Sequence, residues 1–138
     1  RTGEKPGAGF GTQAGKAEYG PNAVFKKLNI PLMMTWSLIN NFPDLETFQT
    51  YLIQRENMNT DTLVCFDWAS LFEPSWKEHN GHVCVLDRVF SAENSVRLID
   101  PDPFVAKWRT VSIDQLYQAM KVHGKEHSGG FWELSLKQ

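Results

Sequence analysis

The stretch GHVCVLDRVFSAENSVRLIDP, residues 81 to 101, decides the fold. Two apolar runs rich in Val and Leu, Gly81 to Phe90 and Val96 to Asp100, flank Ser91-Ala-Glu-Asn-Ser95, a connection with turn chemistry. Pro101 and Pro103 stop the second run, since neither can donate to a strand ladder. The pattern predicts an antiparallel hairpin. His82 starts its first strand and Asp100 ends its second, so pairing brings the two within a residue or two of being opposite each other. Cross-strand neighbours have β-carbons about 5 Å apart, close enough for a carboxylate to accept a hydrogen bond from one imidazole nitrogen. That bond fixes the tautomer and frees the other nitrogen to act as a base. A base with its orienting acid is part of a catalytic triad and still needs a nucleophile and an oxyanion hole. The plainer alternative is a strand-edge His satisfied by a neighbour and a turn Asp ahead of a Pro.

The flanking sequence builds an α+β domain around this hairpin. Upstream, Gly20-Pro21 opens a short helix with Val24, Phe25 and Leu28 on one face, ended before Pro31. Ile30 to Trp36 reads as a strand. Asp44 is a plausible N-cap for a helix whose Leu45, Phe48 and Leu52 share a face, and Thr60 to Trp68 reads as a buried strand. Ala69 to Gly81 is a polar and aromatic loop. Its cluster of Trp68, Phe72 and Trp76 suits either core and rim or the gripping of an extended peptide. Downstream, Ser112 and Gln115 form a capping box for a helix carrying Ile113, Leu116, Tyr117 and Met120, with Gly124 as its C-terminal cap. Gly130 to Leu136 is a closing strand. The expected architecture is an antiparallel sheet from strands near 32, 63, 83, 97 and 132, packed with helices near 21, 44 and 113.

Composition sets the outer bounds. With 41% hydrophobic and 22% charged residues, the 138-residue chain matches ordinary globular domains and can bury one core. A formal charge of -2 without a basic run argues against nucleic-acid or anionic-membrane partners, and no apolar stretch is long enough to span a bilayer. The two cysteines, Cys65 and Cys84, fall inside strand-like runs and point to a reducing compartment such as the cytoplasm. Residues 1 to 20, rich in Gly, read as a flexible lead-in, and Thr2-Gly-Glu-Lys-Pro6 lacks the Cys and His pairs that would make it a zinc-finger linker. Neither a cofactor nor a metal is expected. His79, His123 and His127 do not combine with His82 at metal-ligand spacing, because His123 and His127 straddle Gly124 at a helix end. Ser128-Gly129-Gly130 precedes a strand and is a turn, not a phosphate loop.

Taken in order, Gly81-His82-Val-Cys-Val-Leu-Asp87, Val96-Arg-Leu-Ile-Asp100-Pro101, Trp108 and Val111-Ser-Ile-Asp-Gln-Leu116 resemble the bacteriocin-processing, double-glycine-leader type of papain-like cysteine peptidase. The resemblance covers roughly residues 20 to 136. It implies a bacterial thiol hydrolase acting on a peptide or protein, with His82 and Asp100 as its catalytic His and Asp, and makes residues 21 to 138 the C-terminal two-thirds of that fold.

The resemblance breaks at the nucleophile, which the family places at the start of a long buried helix upstream of the His, with a Gln a few residues before it. No Cys precedes Cys65, which lies mid-strand; Cys84 lies two residues past His82, and neither has the helix N-terminus that lowers a thiol pKa. Two explanations compete. In one, Gln13 and Tyr19-Gly20-Pro21 stand at the family's Gln and Cys-Gly-Pro positions, giving a degenerate domain that binds a peptide without cutting it. In the other, which the lysines at 26 and 27 of the first helix favour, the chain is a fragment and the nucleophile's helix lies outside it, in a segment missing from the N-terminus. That reading predicts a bare apolar face near Val83 or Cys84. An interaction domain that merely inherited the hairpin is the third possibility.

Overall fold

The computed structural model describes residues 20–56 and 60–138. Gln13, Tyr19 and the lead-in up to residue 19 lie outside the described residues. In chain order the elements are α1 (Pro21–Lys27), β1 (Leu32–Leu38), α2 (Leu45–Arg55), β2 (Asp61–Asp67), α3 (Trp68–Phe72), β3 (Gly81–Phe90), β4 (Ser95–Ile99), β5 (Trp108–Ser112), α4 (Ile113–His123) and β6 (Gly130–Leu136). The strands form one antiparallel six-stranded sheet in the order β1-β6-β2-β3-β4-β5. This is an α+β fold, with every strand and helix of the sequence reading in place.

Two elements were missing from that reading. Trp108 to Ser112 adds an edge strand, whose alternation is hidden by Arg109 and Thr110 and whose place is fixed by pairing with β4, Ile99 to Trp108 through Ser95 to Ser112. The expected loop from Ala69 begins as the one-and-a-half-turn α3, capped by the Asp67 carboxylate accepting from the Ser70 backbone N–H at 2.9 Å. Each cap read from the sequence carries its hydrogen bond. Asp44 accepts from the Thr47 N–H at 2.8 Å, and the Ser112 hydroxyl accepts from the Gln115 N–H at 3.0 Å.

The sheet has two unlike faces because successive strand residues point to opposite sides. On one face Val64, Phe66, Cys84, Val96, Leu98 and Phe131 meet Phe48 and Leu52 of α2 and Ile113, Leu116, Ala119 and Met120 of α4 in the main core. The buried positions of α4 recur at three- and four-residue intervals, the stripe a helix presents to a sheet. On the other face Met34, Cys65 and Trp132 form a smaller cluster with Phe25 of α1, Trp36, Leu63, Val83 and Leu134. Gly130 lets β1 and β6 approach, since a β-carbon there would stand 2.6 Å from the Ser37 carbonyl oxygen.

A bulge interrupts the hairpin. β3 and β4 pair as Val89 with Val96 and Arg88 with Arg97, then resume as Leu86 with Leu98 and Val85 with Ile99, leaving Asp87 as the extra residue. The Asp87 carboxylate accepts from Arg97 Nε of the facing strand, and the Val89 N–H donates to Glu56, so both sides of the irregularity are tied down.

Phe131 is fully buried among the rings of Phe42, Phe48 and Tyr51. Phe131→Ala is therefore expected to lower the unfolding free energy by about 3–5 kcal/mol in urea titrations. Phe104→Ala, at a position 93% exposed, should stay within about 0.5 kcal/mol of the parent.

Candidate functional site

The site lies where β3 begins and β4 ends. His82, Cys84 and Leu86 alternate onto the main-core face, and one step past the Val85 to Ile99 pair Asp100 comes alongside Cys84. His82 and Asp100 are thus diagonal neighbours on one face. His82 Nε2 lies 2.8 Å from Asp100 Oδ1, the contact expected from the sequence. A carboxylate can only accept, so Nε2 carries the proton and Nδ1 is the nitrogen left able to take one. His82 keeps 20% of its side-chain exposure, whereas the Asp100 side chain has none.

Asp100 is held by more than His82. Its Oδ1 also accepts from the Asp102 backbone N–H at 3.0 Å, a turn bond made as the chain enters Pro101 and Pro103, and its Oδ2 accepts from Arg109 Nη1 at 3.0 Å. Burial by itself would raise the Asp100 pKa, but the Asp102 N–H, His82 and Arg109 together hold it below the usual carboxylate value. The acid stays ionised. Arg109 comes from β5, the strand not read from the sequence, and its guanidinium lies 3.4 Å from the centroid of the Phe72 ring. The Phe72 and Phe66 rings stand nearly perpendicular to the His82 imidazole, with centroids 6.4 and 5.8 Å away. Of the aromatic loop cluster, Phe72 belongs to this site, Trp68 packs edge-on against Phe72, and Trp76 is 55% exposed.

Neither cysteine is placed as a nucleophile. Cys65 lies on the opposite face, and burial pushes its thiol up to about 12. Cys84 stands beside the pair, but it is 1% exposed, and burial and the Asp100 charge push its thiol to about 12 as well. Both are protonated at neutral pH. The apolar face expected near Val83 or Cys84 divides: the helices of the main core cover Cys84, whereas on the other face Val83 is half-buried and Val85 is 36% exposed. Residues of α1 approach the sheet on that other face through Phe25, with Asn22 bonded to the Met34 backbone, so α1 is not a helix packed over His82.

The remaining histidines serve other contacts. His79 Nδ1 lies 3.0 Å from Asp67 Oδ2, but His79 is 63% exposed on its side chain, and the same oxygen caps α3. The His123 ring packs against Gly81, where a β-carbon would come within 2.6 Å of it, and its centroid is 5.5 Å from that of His127. Burial, then His127, lowers the His123 pKa. Among the described residues only His82, Cys84 and Asp100 bring three metal-ligating atoms together. No helix among the described residues is long and apolar enough to cross a membrane. The sequence matches no protein-family model and no curated protein.

A depressed folded-state pKa contributes stability above the ordinary value of 3.8 that is lost as pH falls through the folded value. Asp100→Asn should therefore cost about 3 kcal/mol at neutral pH, with one of the two acceptor oxygens serving His82 and Arg109 lost, and the gap from the parent should close as pH falls below 3.8. Urea midpoints across that range check the sign; a gap constant with pH would contradict it.

Proposed function

We propose that this chain supplies the base and its orienting acid for a cysteine-type acyl transfer on a peptide or amide bond, with the thiolate provided from outside this chain. The observation that carries the reading is the direction of the His82 ring, Nε2 spent on an ionised, buried Asp100 and Nδ1 left over at the partly exposed edge. In the proposed reaction Nδ1 takes the proton of an incoming thiol, the thiolate forms a bond to the carbonyl carbon, and the imidazolium returns the proton to the leaving amine. Water then cleaves the thioester by the same route. Asp100 holds the ring in one tautomer and offsets the imidazolium charge, while Arg109 holds Asp100. The order of motifs around His82 and Asp100, similar to papain-like bacteriocin-processing peptidases, supports the same chemistry, and the protonated Cys65 and Cys84 support an external nucleophile.

The test compares this chain with the longest translated form of its gene on a peptide library. This chain alone is expected to show no turnover and no rapid thiol labelling at neutral pH. The longer form should turn over, lose activity in His82→Ala, and fall by about 100-fold or more in Asp100→Asn, the variant that frees the tautomer. Stoichiometric labelling of Cys84 that depends on His82 would overturn the external nucleophile. Peptide binding without turnover in the longer form would overturn catalysis in favour of a degenerate peptide-binding domain.

A further inference from the structure

We infer that His82, Cys84 and Asp100 form a binding site for a soft divalent cation of the Zn2+ and Cd2+ class, which occupies the base in place of a proton. An imidazole nitrogen, a thiol sulfur and a carboxylate oxygen all lie within 4.8 Å of one another. The backbone makes this convergence: His82 and Cys84 alternate onto one face of β3, and Asp100 follows the last paired residue of β4 onto the same face. The chemistry of the set is selective. Thiolate and imidazole suit Zn2+ and its softer analogues, and three protein ligands leave a fourth position open.

In a tetrahedral centre with bonds of about 2.0–2.3 Å, ligand atoms stand roughly 3.3–3.8 Å apart, so His82 Nε2 and Asp100 Oδ1, now 2.8 Å apart, open by about half an ångström to admit the ion, while the widest separation in the set, within 4.8 Å, closes by about an ångström. Side-chain rotation of His82 and Cys84 supplies that movement. The outer contacts of such a centre are already built, because Arg109 and the Asp102 N–H fix the carboxylate and the rings of Phe66 and Phe72 flank His82. On binding, the S–H bond of Cys84 breaks, a metal–sulfur bond forms and one proton leaves for solvent. The imidazole loses its Nε2 proton to solvent and takes one from solvent on Nδ1, so that it ligates through Nε2 as a neutral ring, with no change of oxidation state. With Nδ1 protonated the ring can no longer accept a proton, so the cation inhibits. That consequence rests on the acyl-transfer reading, whereas the cation site does not.

The experiment is a titration of the whole chain with Cd2+, read by the ultraviolet charge-transfer band of a thiolate–Cd2+ bond. One equivalent is expected to produce the band in the parent and in Cys65→Ser. Cys84→Ser should abolish it, and His82→Gln and Asp100→Asn should weaken binding at least about tenfold. Zn2+ should displace the Cd2+ signal. Because Cys84 is buried and its variant could unfold, nuclear magnetic resonance of the unmutated chain gives a second reading: Cd2+ should shift the His82 and Cys84 resonances and leave those of Cys65 in place. A band that survives Cys84→Ser, disappears in Cys65→Ser or ignores His82→Gln overturns the site. Failure of peptide turnover in the longer form would leave the Cd2+ band untouched, so the two readings fail separately.

Discussion

The extra residue at Asp87 is the constraint on which the site depends. Strand side chains alternate with a period of two, so a one-residue change of register sends every residue beyond it to the other face. Before the bulge, Val89 pairs with Val96 and both point into the main core. Without an inserted residue, alternation from Val89 would carry His82 to the opposite face from Asp100. The bulge resets the phase, so Leu86, Cys84 and His82 return to the core face and Asp100 arrives beside them. The bond between Asp87 and Arg97 ties the inserted residue to the facing strand, and Glu56 satisfies the Val89 N–H. Both the His82 contact and the convergence with Cys84 follow from that one change of phase.

A second layer of support fixes the acid. Asp100 is buried, and an ionised carboxylate out of water is costly unless its lone pairs are filled. Here the Asp102 N–H, His82 Nε2 and Arg109 fill them, with Arg109 itself resting on the Phe72 ring. The groups that make the burial tolerable are the ones that orient His82. The same burial disables Cys84, since a sulfur 1% exposed beside a carboxylate keeps its proton.

Much of this was legible in the sequence, for local reasons. The Asp44 and Ser112 caps, the glycine ending α4 and the turn chemistry between β3 and β4 act over three or four residues and leave plain marks. His82 and Asp100 were readable as a pair because a hairpin brings its open ends together. The bulge was not readable, because VCVLDRVF is apolar on both sides of Asp87 and shows no period to be broken. Arg109 was missed because β5 is short, polar at its centre and held by pairing with β4. Cys84 was excluded as a nucleophile from sequence, but its position alongside Asp100 needed the register.

The most direct test is the protonation pattern of the His82 ring, read by long-range proton–nitrogen correlation in uniformly labelled protein at a pH where the ring is neutral. A single tautomer with the proton on Nε2 and a bare Nδ1, lost in Asp100→Asn, is the predicted result. A proton on Nδ1, or the tautomer mixture of a free imidazole, would contradict the assignment of His82 and Asp100 as base and orienting acid.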